Sequence, residues 1–260
     1  LALYRNPFVI QAVVLGAAAA GIAYWHAGRY DVASTTFTTV AAAFILVGGF
    51  LNAPYQGVTM ADDVQNRAST VDSLPNMSAE HPRILPRTVA REYAQNSLQE
   101  PRHRLAEGDI AIGRDGTPQW SYPLRPDGEL NTFIVKQKGA SFVDMTTESA
   151  DITMNTSEMN VGIGTQITDN IFWSLRKQQY LVNYQDPFVF ESNDGLRIAT
   201  PIIDYDFHFR FPIIYTTPTW GGVALTDETG STTYVHADDV SAHDVLNEQR
   251  TYPFDLARAY

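Results

Sequence analysis

The sequence predicts an α+β protein: two N-terminal transmembrane helices followed by a mainly antiparallel, β-rich domain that reads as two related halves. Three observations predict it. Residues 7–54 hold two long apolar runs with almost no charge. Behind them, short strand-like segments alternate with Asp-Gly and Pro turns. Of the 260 residues, those after position 56 carry 16 of the 18 Lys+Arg and 28 of the 29 Asp+Glu, a net charge of −12. The expected boundaries are a helical hairpin over 1–56, a Pro-rich connector over 57–87 and an acidic domain over 88–260, with halves at 88–155 and 156–260. A domain this acidic lacks the basic footprint that nucleic acid requires. The absence of cysteine excludes disulfides, thiolate metal sites and cysteine nucleophiles.

The first apolar run, Pro7 to Tyr24, contains Gln11 as its single strongly polar residue. At the helical rise its length is about 27 Å, near the lower limit for crossing a bilayer core. Tyr24 and Trp25 follow where amphipathic rings settle at headgroup level. The second run, Thr35 to Ala53, is rich in threonines whose hydroxyls can return to backbone carbonyls, and Pro54 and Tyr55 close it. Gly16 with Ala20, Ala17 with Gly21, and Gly48 with Gly49 give the small-residue faces on which helices pack in lipid. Arg29 lies in the joint between the runs, whereas Asp62 and Asp63 precede Arg67 on the far flank. Basic residues tend to stay cytoplasmic, so this pattern puts the large domain outside the cell membrane, although Arg5 argues the other way.

Residues 57–87 contain Pro75, Pro82 and Pro86, which oppose regular structure and favour an extended stretch that hugs a surface. Thr88 to Leu98 is the first expected helix, capped by Thr88 and ended by Pro101. Strands are expected over Asp109–Arg114, Gln119–Leu124, Thr132–Gln137 and Ala140–Met145, separated by Asp115-Gly116, Pro126-Asp127-Gly128 and Lys138-Gly139. Tyr180–Tyr184, Phe188–Glu191 and Leu196–Ile203 follow. In Asp204–Phe211, Tyr205, Phe207, Phe209 and Phe211 alternate with Asp204, Asp206, His208 and Arg210, an aromatic face able to anchor a core. Gly221–Thr226 and Thr232–His236 form a hairpin across Asp227-Glu-Thr-Gly230. Ser241–Gln249 reads as a helix with Ser241 and Asp244 as a capping box, and Tyr252-Pro253 opens another.

Two stretches look alike. Pro118-Gln-Trp120 leads to a strand ending at Asp144-Met-Thr-Thr147, and Pro218-Thr-Trp220 leads to one ending at Asp227-Glu-Thr-Gly230. Together with the helix carrying Ala90-x-x-x-Ala94, this pattern resembles the PepSY-type module, over about 88–150 and more loosely over 196–240. The resemblance implies a small extracytoplasmic α+β unit on a membrane anchor, engaged in binding or in restraining a peptidase. It carries no site residues onto this chain.

Asp204, Asp206 and His208 are the weak candidate metal ligands. They share one face of one strand but stand nearly 7 Å apart at that spacing, and Arg210 continues the face. A solvated charge ladder is the expectation, unless another strand adds a ligand. His236, Asp238, Asp239, His243 and Asp244 form an acidic cluster that helix capping explains. Trp120, Tyr122, Trp173, Tyr180, Tyr184 and Trp220 read chiefly as core. Gly162-Ile-Gly164-Thr165 is a turn rather than a phosphate loop, and no nucleophile motif is present. Three lysines against fifteen arginines, on an acidic surface, fit a salt-adapted source. The expected function is therefore a non-catalytic, cofactor-free accessory or scaffolding subunit of a membrane assembly. Its partners would be lipid, other membrane subunits or copies of itself, and the alternative is a tethered ligand or peptide receptor.

Overall fold

The structure, a computed structural model, describes residues 84–148, 151–210, 213–246 and 248–259, together with Gly16. The two apolar runs and the connector before Ile84 lie outside the described residues. Among the described residues no helix is long and apolar enough to cross a membrane. Contacts divide the chain into two compact units: one includes Ser73–Ile203 with Trp220–Ala259, and the other includes Asp204–Thr219.

The first of these units is mixed α+β, with two mainly antiparallel sheets. Helix α1 (Arg87–Ser97) leads into β1 (His103–Leu105), β2 (Asp109–Ile112) and β3 (Pro118–Pro126). A short helix α2 (Asn131–Ile134) precedes β4 (Gln137–Asp144) and β5 (Ile152–Met159). Helix α3 (Ile171–Gln178) then leads into β6 (Asn183–Tyr184), β7 (Phe188–Ser192), β8 (Gly195–Arg210), β9 (Ile213–Asp227) and β10 (Thr232–Val235), and α4 (Phe254–Ala259) follows. In the first sheet the order is β1-β3-β4-β5, and β2 also pairs with β3. In the second it is β6-β8-β9-β10, and β7 also pairs with β8. The correspondence extends to register. β1 pairs with the C-terminal part of β3 and β2 with its N-terminal part, just as β6 and β7 divide the first nine residues of β8. Each sheet is thus preceded by a helix and built by the same sequence of strand additions.

Strand pleat decides what each sheet buries. In β3, Trp120, Tyr122 and Leu124 point to one side and pack with Ala90 and Ala94 of α1. The alanines sit one turn apart on the same helix face, and their size lets the backbone lie close to the sheet. Ser121 points the other way, and its hydroxyl donates to the Val189 carbonyl of β7 at 2.5 Å. β4 repeats the alternation: Val143 joins the α1 core, whereas Ala140 and Phe142 join a second core with Ile171 and Leu175 of α3 and Leu196, Ile198 and Ile202 of β8. A third core gathers Phe188, Phe190, Ala199, Val223, Leu225 and Val240 around Ala111 of β2. Each fully buried side chain of this size contributes roughly 1.5–3 kcal/mol.

Several elements differ from their sequence expectation. Helix α1 begins at Arg87, with Pro86 in the cap position and no side-chain cap bond, so Thr88 is inside the helix. Thr132–Gln137 does not form a strand. Asn131–Ile134 is helical, and its start is held because the Asn131 side-chain Nδ2 donates to the Asp127 carbonyl and the Thr132 hydroxyl to that of Glu129. Ser241–Gln249 is not a regular helix. A 3-10 turn covers Ala237–Ala242, and further on Glu248 takes a left-handed φ of 70°. Helix α3 and strands β1 and β5 are not among the elements expected from the sequence. Pro118-x-Trp120 opens the third strand of its sheet, whereas Pro218-x-Trp220 lies in the fourth strand of the other, so those two motifs occupy different topological positions. The Asp turns do correspond: Asp144 accepts from the Thr146 hydroxyl at 2.7 Å and Asp227 from the Thr229 hydroxyl at 2.6 Å. After Asp227 the hairpin closes with the Gly230 amide on the Asp227 carbonyl, and Gly230 adopts φ 87°, where a side chain would be strained.

The second unit contains the far parts of β8 and β9. β6 and β7 pair with β8 only as far as Ile203, and β10 pairs with β9 only from Val223. Between those limits the ribbon has no further strand partner among the described residues. Leu196–Ile203 and Asp204–Phe211, expected as separate strands, are continuous through Arg210. Phe207, expected in a core, is 55 % exposed.

Two predictions concern the first core. The Trp120 indole N–H donates to the Leu85 carbonyl at 2.9 Å, so Trp120→Phe should lower stability by about 1–3 kcal/mol, read from urea unfolding. Burial pushes the Tyr122 hydroxyl up to about 12, although the charges of Arg87 and Arg91 pull it down. The folded state keeps this proton after the unfolded phenol has lost it near pH 10. Stability should therefore fall as pH rises from about 10 to 12, and Tyr122→Phe should flatten that decline.

Candidate functional site

Asp204, Asp206 and His208 lie exposed on β8, where the Asp204 carboxylate accepts from the Tyr205 amide at 2.8 Å. Among the described residues no group of three or more His, Asp or Glu is placed to hold a metal ion. That statement covers His236, Asp238, Asp239, His243 and Asp244 as well, where backbone turns account for the local geometry. Gly16 is helical and exposed, and the other expected helix-packing positions, Ala20, Gly21, Gly48 and Gly49, lie outside the described residues.

The most unusual surface is at one end of the first sheet, around the β3–β4 connection. Leu130 is 81 % exposed, Ile134 76 % and Phe133 56 %, on and beside α2. Ile167, 59 % exposed, is brought beside them because the Gln166 amide donates to the Thr132 carbonyl at 2.9 Å. Exposed apolar groups gathered in this way mark an interaction surface more often than isolated ones do. The four side chains form a shelf, and its supports are built in. Fully buried Gln137 accepts from the Ile163 amide, and the Thr165 hydroxyl meets the Asp169 carbonyl at 2.6 Å. The Asn170 side chain donates to the Thr165 carbonyl at 2.7 Å and accepts from the Trp173 amide, capping α3. On the other side, the ring nitrogens of His103 lie 2.9 Å from the Pro101 carbonyl and 3.0 Å from that of Lys136. β1 is thereby joined to Lys136, two residues after the end of α2.

Ile167 has φ 54°, a left-handed conformation that is a true outlier for a β-branched residue. Hydrogen bonds on both sides hold it there, from the Gln166 amide before it and from the Asn170 amide to its own carbonyl after it.

Beside the shelf, Arg104 and Arg125 stand directly opposite one another across the β1–β3 pair. Like charges in that position repel. Burial, then the charges of Arg104 and Arg91, hold the Arg125 guanidinium below its ordinary value, against the pull of Asp127. Asp127 sits 3.6 Å from Arg104. A Cβ at Gly164 would come within 2.9 Å of the Arg125 side chain, which places this arginine under the loop that carries Ile167.

A second concave surface, a cleft of about 460 Å3, lies between the β2–β3 turn, the β7–β8 turn and residues 244–249. Glu191, Asp194, Asp244 and Glu248 line it with Arg114, which is 3.8 Å from Glu191. Gln249 closes one wall by donating to the Ile112 carbonyl at 2.8 Å and accepting from its amide at 3.0 Å, in the manner of an added strand. Sequence patterns gave no hint of either surface. Each is assembled from turns far apart in the chain.

Compared with known proteins, the chain matches no family model, no curated protein and no solved structure.

Replacing Ile167 with glycine should leave thermal stability unchanged or raise it by up to about 1 kcal/mol, because it removes the left-handed penalty. An ordinary exposed position would lose stability on the same change. Gln249→Leu should cost about 1–2 kcal/mol and speed amide exchange at Ile112, since it removes both bonds to that strand.

Proposed function

We propose that the protein is a membrane-anchored accessory or scaffolding subunit that acts by contact through its acidic domain, with that domain outside the cell membrane. The observation that carries this reading is the β8–β9 ribbon, Asp204–Thr219. A two-stranded ribbon is marginally stable alone in water, and this one, which has no third strand among the described residues, presents an exposed Phe207 on the strand that also bears Asp204, Asp206 and His208. Such an element gains stability by lying against a partner subunit. The apolar runs at 7–24 and 35–53 support the anchor, and the repeated helix-plus-five-strand arrangement suits a rigid spacer derived from two related halves.

A second reading is a tethered peptide receptor, in keeping with the resemblance to PepSY-type modules. The cleft beside Arg114 favours it, because four carboxylates suit the basic side chains or the amino terminus of a peptide. Titrating the full chain with acidic and basic peptides of equal length separates the readings: selective, salt-sensitive binding of the basic peptide supports the receptor.

For the leading reading, the full chain expressed in its own membrane and extracted in mild detergent should elute with a stoichiometric partner. Phe207→Asp should reduce recovery of that partner several-fold without loss of the folded domain. Elution of the unaltered chain as a clean monomer would overturn the scaffold. Protease treatment of intact cells should cleave the acidic domain, and protection would place it on the inner side.

A further inference from the structure

The shelf at the end of the first sheet differs in chemistry from the ribbon. It combines Leu130, Phe133, Ile134 and Ile167, all more than half exposed, with the cross-strand pair Arg104–Arg125 at its base. Apolar tips with arginines set behind them match the interfacial zone of a bilayer, where side chains enter the acyl boundary and guanidinium groups meet lipid phosphate. The tether makes such contact reachable. The second apolar run closes at Tyr55, and residues 57–83 lead to Ile84, which enters the domain with its amide on the Met145 carbonyl. Fully extended, that connector spans about 90 Å. Met145 follows the end of β4, and the shelf precedes its beginning, a separation of about 26 Å along the strand's eight residues. The tether is long enough to run back along the domain and leave the opposite end resting on the membrane.

We infer that Leu130, Phe133, Ile134 and Ile167 rest in the headgroup–acyl boundary of the bilayer that holds the anchor, with Arg104 and Arg125 contacting lipid phosphates. This orientation rests on the anchored reading proposed above. It defines how the unit that carries the shelf stands on the membrane.

The chain has no cysteine, so single-cysteine variants of the full protein can be spin-labelled without background. Labels at Leu130→Cys and Ile134→Cys report the shelf, Thr153→Cys an exposed strand position and Phe44→Cys the second apolar run. In phosphatidylcholine proteoliposomes, accessibility to oxygen should exceed that to a water-soluble nickel complex at both shelf positions and at Phe44. Thr153 should show the reverse, with the ratio differing several-fold. Arg104→Glu should shift the Ile134 label several-fold toward the Thr153 value, and no change would overturn the phosphate contact. A Phe44 label in lipid with both shelf labels in water would overturn the inference and leave the anchor standing. A Phe44 label in water would overturn the anchor as well. Exclusion of both reagents from the shelf labels would mean a protein contact, which also overturns the inference.

Discussion

The pleat of β4 is the constraint on which the domain depends. Successive residues of a strand point to opposite faces, and β4 has large or close-packed side chains on both. Val143 completes the core beneath α1, and its neighbour Phe142 completes the core shared with α3 and β8. A slip of one residue would exchange these faces. Both cores would then lose their fit together, because Ala90 and Ala94 of α1 leave room for Val143, Trp120 and Tyr122 but not for an arbitrary set. The first sheet is therefore a middle layer, covered by a helix on one side and by parts of the second sheet on the other. That arrangement explains why Ser121, with its hydroxyl on the Val189 carbonyl, is fully buried although it is polar.

The same sheets have little exposed edge available for uncontrolled pairing. β1 has three residues, β6 two and β10 four. β5 is longer, but its register with β4 shifts between Lys138 and Ala140, and such a bulge twists an edge away from a flat partner. The outer side of β2 is occupied by the Gln249 side chain. The surfaces proposed for contact, the ribbon beyond Ile203 and the shelf around α2, are not strand edges of this kind. Both are the connection between the third and fourth strands of their sheet. Identical topology has been used to carry two chemistries: an alternating aromatic and charged ribbon in one case, and an aliphatic shelf backed by arginines in the other.

Turn chemistry and strand alternation were legible wherever the controlling interactions are local. Asp227-Glu-Thr-Gly230 closes as its residues require, with the carboxylate taking the Thr229 hydroxyl and the Ser231 amide. Burial alone would raise the Asp227 carboxyl, but those bonds, the Thr229 amide and Arg197 together hold it below its ordinary value. Thr132–Gln137 reads as a strand because its β-branched and aromatic residues suit one, whereas Asn131–Ile134 is helical. Tethers from Gln166 and His103 hold the flanking carbonyls of Thr132 and Lys136, and the helical turn between them keeps Phe133 and Ile134 in solvent. Ser241–Gln249 reads as a helix from a capping pattern that is local, whereas the Gln249 side chain is committed to a strand 137 residues away.

By itself the sequence determined the segregation of charge from the apolar runs, the α+β class, the position of α1 and most strands of the sheets. Each follows from periodicity or composition, which are properties of neighbouring residues. Only the tertiary structure decided which apolar residues stay outside. Phe207 and Phe142 belong to similar strand patterns, yet Phe142 meets α3 and β8 while Phe207 has no third strand beside it among the described residues. Whether a side chain is core or contact surface depends on what arrives opposite it, and that is set by segments distant in the chain.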